Sequence, residues 1–174
     1  MDGLSDIDFR NYYENKHAPL ASSLLTLEGY ERNYINSELN PLYNSLGSIS
    51  IFQYQSIQSL EIVSKEMSSS AGAALRNDEQ KFMNVSKNYH VLTESNQLTK
   101  NEFRKKIFYP IKKYEDLHLL DAYDGLEKIS DNLLVEPNEI IGVSEYGITR
   151  EISLEILEKL AADHPRAIIA SCIN

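Results

Sequence analysis

Apolar side chains recur along this chain with two different periods, and the switches between them lay out the secondary structure. Near the N-terminus, Phe9, Tyr13, His17 and Leu20 fall on one helical stripe, with Arg10, Glu14 and Asn15 off it. Ser5, with Asp8 three residues on, reads as the N-cap of that helix. Pro19 disfavours a helical Ala18, so a stop or kink is expected beside His17. A second short helix is expected over residues 20–27, closed by Gly29. Residues 30–36 (YERNYIN) switch to strand formers, and their alternation sets Arg32, Tyr34 and Asn36 on one face. SELNPLYNSLGS is loop by composition. Residues 49–56 then predict another alternating strand, and residues 59–67 a helix lined by Leu60, Val63 and Met67. SSSAGAALRNDEQKF reads as weaker helix or loop, and residues 88–95 (NYHVLTES) as a strand.

The second half carries an echo of the first. LSDIDFR begins at Leu4 and LTKNEFR at Leu98, 94 residues apart, which aligns Phe9 with Phe103 and Arg10 with Arg104. SLEIVSK begins at Ser59 and SLEILEK at Ser153, again 94 residues apart. A helix is therefore expected from about Thr99 and another over residues 116–129. A strand over 139–146, a helix over 152–162 and a strand over 166–173 follow. The strand that the echo requires near Leu126 is weak. Each half then reads as helix, strand, strand, helix, strand, with repeats over residues 1–96 and 97–174.

Composition narrows the class. The 174 residues are 42% hydrophobic, enough for a core rather than a disordered chain. The net charge of −9, without any Lys/Arg stripe, argues against a nucleic-acid partner. One cysteine, Cys172 in AIIASCI, cannot build an internal disulfide or a thiolate zinc site. No apolar run reaches membrane-spanning length, and MDGLSDIDF lacks a signal region, so a cytoplasmic protein is expected. His17, His90, His118 and His164 have no metal-ligand spacing, and no GxGxxG, GxxxxGK[ST] or GxSxG motif is present. Neither a metal nor a cofactor is expected.

LSDIDFRNYYENKHAPL, GYERNYIN, DEQKF and YHVLTE, in that order, resemble the EthD-like family of the dimeric α/β-barrel superfamily. The likeness covers roughly residues 3–94. It implies a ferredoxin-like βαββαβ unit, two of which pair their sheets into a barrel with helices outside. It also implies kinship with cyclases, decarboxylases, isomerases and cofactor-free monooxygenases of aromatic or polyketide-like compounds in secondary metabolism. Family members have a strand ahead of the first helix, for which Met1 to Gly3 are too short. Two repeats in one chain would form an internal pseudo-dimer and leave a homodimer open.

The candidate chemistry centres on His17. Its place on the Phe9–Tyr13 stripe, beside the expected kink, puts it at a cleft edge. An imidazole there can give or take a proton near neutral pH. Tyr13 would orient it or polarise a carbonyl. Arg32 and Asn36, with Tyr34 and Tyr54 as cleft lining, would hold a carboxylate or phenolate. At the 94-residue offset His17, Tyr13 and Arg32 become Ile111, Ile107 and Leu126, so one site per chain is expected, in the first half. The reading is a cofactor-independent lyase, isomerase or cyclase acting by proton transfer. A ligand carrier, an assembly protein or a cofactor-free monooxygenase are the alternatives, and a plain helix-end cap is the bland account of His17.

Overall fold

The computed structural model describes residues 4–149 and 152–173. Residues 1–3, where a leading strand was judged too short, lie outside the described residues. The chain divides into two compact units that interleave in sequence: Met1–Arg32 with Ser50–Tyr89 and Asn174, and Asn33–Ile49 with His90–Ile173. Helix and strand mix throughout, so the fold is α+β.

The first unit opens as the periodicity predicts. In α1 (Asp6–Tyr12) the Ser5 hydroxyl accepts from the N–H of Asp8, and Asp6 and Asp8 lie in the first turn. One orphan donor is thereby satisfied and the positive helix end is matched by acids. The expected stop beside His17 does not occur. Tyr13–His17 form a π turn, and the helix continues as α2 (Ala18–Leu24). The Ala18 N–H donates to Tyr13 O. Pro19 falls in the first turn of α2 and supplies no N–H to the turn before it. A widened turn thus replaces the break.

β1 (Gly29–Ile35) and β2 (Ser48–Gln53) run antiparallel. Glu28 N–H donates to Gln53 O at one end, and Ile35 N–H donates to Gly47 O at the other. α3 (Ile57–Ser68) and α4 (Ser70–Glu79) are capped by the Ser56 and Ser69 hydroxyls. Thus the small-residue stretch is helical. Gly72 is required there because a Cβ would overlap the Glu66 and Met67 carbonyls closing α3.

The second unit holds a seven-stranded sheet in the order β2-β1-β7-β4-β6-β5-β3, into which β1 and β2 send residues 33–35 and 48–49. Its own strands are β3 (Thr93–Gln97), β4 (Lys105–Ile111), β5 (Leu126–Leu134), β6 (Gly142–Ile148) and β7 (Ile168–Ile173). The β3/β5, β4/β6, β4/β7 and β5/β6 pairs are all antiparallel. Across the sheet, β4 to β7 stand in the order 4-1-3-2 of their sequence. α5 (Leu154–Asp163), capped by Ser153, packs Leu157 and Leu160 on Ile107, Tyr109, Tyr146 and Ile169. That cluster is the unit's core.

Several expectations for the echo and for the chain after residue 87 are corrected. Residues 98–104 form no helix, and β4 follows where the echo of LSDIDFR called for one. Ile107, Tyr109 and Ile111 alternate, and Pro110 would break a helix. β4 tolerates that proline because its pairing with β7 ends at Phe108. The helix expected over 116–129 is a 3-10 turn, Tyr114–His118, followed by β5. β5 is nine residues long despite weak strand composition, because β3 and β6 pair with it on both sides. The Phe9–Phe103 correspondence fails in consequence, since Phe9 is on α1 and Phe103 in coil. The Ser59–Ser153 match is out of step too: Ser153 caps α5, whereas Ser56 caps α3. The strand expected over 88–95 begins only at Thr93.

Candidate functional site

His17 and Tyr13 bracket the π turn, and both are buried. Such turns recur at functional sites. His17 is 4% exposed, so it is enclosed rather than at a cleft edge. Its ring stands edge-on to Tyr13 at 4.8 Å and beside Phe82 at 4.9 Å. Phe82 also meets the rings of Phe9, Tyr12 and Tyr13. Because the helix runs on past His17, the residue is not a C-terminal cap.

The ring's polar partner is Asp78, near the end of α4. His17 Nδ1 lies 3.2 Å from Asp78 Oδ2. Tyr12 OH donates to Asp78 Oδ1 at 2.7 Å, and Lys81 Nζ donates to the same oxygen at 3.4 Å. Burial pushes the Asp78 carboxyl up, but the hydrogen bonds from Tyr12, His17 and Lys81 outweigh it and hold it below its usual value. A carboxylate only accepts, so Nδ1 carries the shared proton. Nε2 makes no hydrogen bond among the described residues. In the neutral ring it is the acceptor nitrogen.

Two further groups titrate away from their ordinary values here. Burial raises the neighbouring Glu79 carboxyl, while His17 and Arg76 pull it down less strongly. Burial also raises the Tyr13 phenol, against the hydroxyls of Ser50 and Tyr30 and the charge of Arg32. Tyr13 therefore stays protonated. Its hydroxyl is 2.8 Å from Ser50 Oγ and accepts from Tyr30 OH at 2.7 Å.

The other predicted residues are placed differently. Arg32 forms a fork with Glu14, Nε and Nη2 donating to its two carboxylate oxygens at 3.1 Å each. Its guanidinium also lies over the Tyr30 ring. Tyr54 is half-buried in the first unit, where burial raises its phenol. Tyr34 is buried in the second unit. Asn36, exposed in that unit, takes the N–H groups of Glu38 and Leu39 on its Oδ1, the pattern of an Asx turn. The structure thus brings together His17 and Tyr13, with Arg32 linked through Glu14 and Tyr30, while Tyr34 and Asn36 belong to the second unit.

Sequence reasoning missed Asp78, Glu79 and Phe82 as partners of His17, and Tyr12 as a donor to Asp78. The signal was present, because DEQKF supplies Asp78, Glu79, Lys81 and Phe82. A cavity of about 40 Å³ lies in the second unit, lined by Asn40, Tyr43 and Ala167 among others, and none of the predicted site residues lines it. Among the described residues, no three histidine, cysteine or acidic side chains gather so as to hold a metal ion. No helix among them is long and apolar enough to cross a membrane.

No curated protein and no solved structure matches the chain. Residues 1–86 match the family model described as the EthD domain. These residues include the π turn, His17, Asp78 and Phe82. The first half of the chain is thus similar to the EthD domain, whose family is a dimeric α/β barrel of ferredoxin-like fold.

Proposed function

We propose that the EthD half catalyses a proton transfer on a small aromatic or polyketide-like compound without a bound cofactor. Cyclisation, decarboxylation, dehydration and isomerisation all fall in that class. The observation that carries the reading is the pairing of His17 Nδ1 with Asp78, while Nε2 makes no hydrogen bond among the described residues. A ring so held gives or takes a proton at Nε2. An ionised Asp78 keeps the tautomer and steadies an imidazolium once the proton is taken. Tyr13, protonated and packed on the ring, orients it.

A non-catalytic small-molecule-binding or assembly protein is the second reading. The observation in its favour is the enclosure of His17 among Tyr13 and Phe82, which would tie the π turn to α4 without any chemistry. We further propose that residues 1–96 and 97–174 are tandem ferredoxin-like repeats in a cytoplasmic protein. The 4-1-3-2 order of β4 to β7 supports the repeat.

Nitrogen-15 spectra of the histidine rings test the base directly. As the neutral ring, His17 is expected to be protonated at Nδ1 and bare at Nε2, and to take a second proton at Nε2. A ring bare at Nδ1 and protonated at Nε2 would remove the proposed base.

A further inference from the structure

The second unit carries a buried polar cluster that neither the EthD match nor the His17 reading uses. Strand alternation sends Ile107, Tyr109, Tyr146 and Ile169 to the face packed on α5. Lys106, Phe108, Glu145, Ile168 and Ala170 therefore lie on the other face. Two of those five are ions, and both are buried: Lys106 is 6% exposed and Glu145 5%. Lys106 Nζ donates to Glu145 Oε1 at 2.7 Å. Ser130 Oγ donates to Oε2 at 3.1 Å, and Asn132 Nδ2 donates to Ser130 Oγ at 2.9 Å.

The ladder arranges these residues in a row. Ile168 stands opposite Phe108, Phe108 opposite Glu145, and Glu145 opposite Ser130. The row crosses β7, β4, β6 and β5, apolar at one end and polar at the other. Its polar end depends on an irregularity. Lys128 opposes Tyr146 and Ser130 opposes Glu145, so Ile129 is an extra residue in β5. Bulges re-aim side chains and gather beside sites. Without this one, Ser130 would turn towards α5.

A buried ion pair is a poor source of stability, because apolar residues of similar volume hold a core as well or better. Each oxygen of the Glu145 carboxylate receives one of the two donors and retains a second lone pair.

We propose that this row binds a small amphipathic molecule carrying a hydroxyl, a phenol or an enol. Its ring rests on Phe108 and Ile168, and its hydroxyl donates to Glu145. Lys106 and Ser130 hold the carboxylate in place. Phe103 occupies the space where Gly147 has no side chain, in the row next to Glu145. It is the side chain that yields as the ligand enters. The site goes beyond the His17 reading and does not depend on it.

The test is fluorine NMR of 4-fluorophenol with the full chain, against fluorobenzene, which lacks the hydroxyl. 4-Fluorophenol is expected to bind saturably and about tenfold more tightly or better, the scale of one hydrogen bond to an ion. Glu145→Gln alone would strand Lys106, so the variant is Lys106→Met with Glu145→Leu. It is expected to melt at or above the wild-type temperature and to lose the preference to within about twofold. Two results would overturn the proposal: no saturable binding of 4-fluorophenol to the wild type, or a double variant that keeps the preference. Should the double variant fail to fold, Ser130→Ala decides. It is expected to weaken 4-fluorophenol about threefold or more, and unchanged affinity overturns the site.

Discussion

Asp78 Oδ2 lies 3.2 Å from His17 Nδ1, although the two residues are 61 positions apart in sequence. The contact joins the π turn to the end of α4, and its acid partner titrates below its usual value. A carboxyl depressed in the folded state contributes fully above its unfolded pKa, about 3.9, and the contribution is lost as pH falls through the folded value. Asp78→Asn is therefore expected to lower unfolding free energy by about 1–3 kcal/mol at neutral pH. The gap to wild type should narrow below about pH 4. Urea unfolding over a pH series checks this, and a gap that stays constant into strong acid contradicts it.

Glu79 works in the opposite sense. Burial raises its carboxyl, so the folded state favours the protonated form. That contribution is present at low pH and is lost as pH rises through the folded pKa. Glu79→Gln is expected to raise the thermal midpoint at neutral pH, with the gain vanishing below about pH 4. Paired melts at the two pH values measure it.

The Arg32–Glu14 fork is partly buried and planar, and a lysine cannot reproduce it. Arg32→Lys is expected to cost about 1 kcal/mol. In a double-mutant cycle, most of that cost should disappear once Glu14 is already Gln. Additive effects would mean that the fork contributes nothing.

Gly147 admits Phe103 only because it lacks a Cβ. Gly147→Ala is expected to destabilise by about 1–3 kcal/mol through overpacking. Phe103→Ala in the same chain should remove most of that penalty. Chemical denaturation of the four proteins in the cycle gives the coupling.

Much of the fold was legible because long amphipathic segments declare their period. α1, β1, β2, α3, α5 and β7 all follow from alternation or stripe, with Ser5 as the capping residue. Pro19 misled because the local rule against a helical Ala18 ignores the π turn that accommodates it. β4 was misread because LTKNEFR mimics LSDIDFR in residue type, whereas the strand's identity comes from pairing with β6 and β7. His17 and Tyr13 were visible on one stripe. Asp78 was not, because its stretch has no clear period and its partner is distant in sequence. Arg32 was read as facing a ligand, while Glu14, off the stripe by periodicity, turned out to hold it.

The central claim is that His17 moves a proton, and deuterium wash-in tests it most directly. A small aryl 1,3-diketone is incubated with the protein in heavy water, and exchange at the activated carbon is followed. The wild type is expected to exceed the buffer rate. His17→Gln, which keeps a donor towards Asp78 but has no base, is expected to lose about 10²-fold or more of that acceleration while remaining folded. Exchange by folded His17→Gln as fast as by the wild type, or a wild type no faster than buffer, would contradict the account.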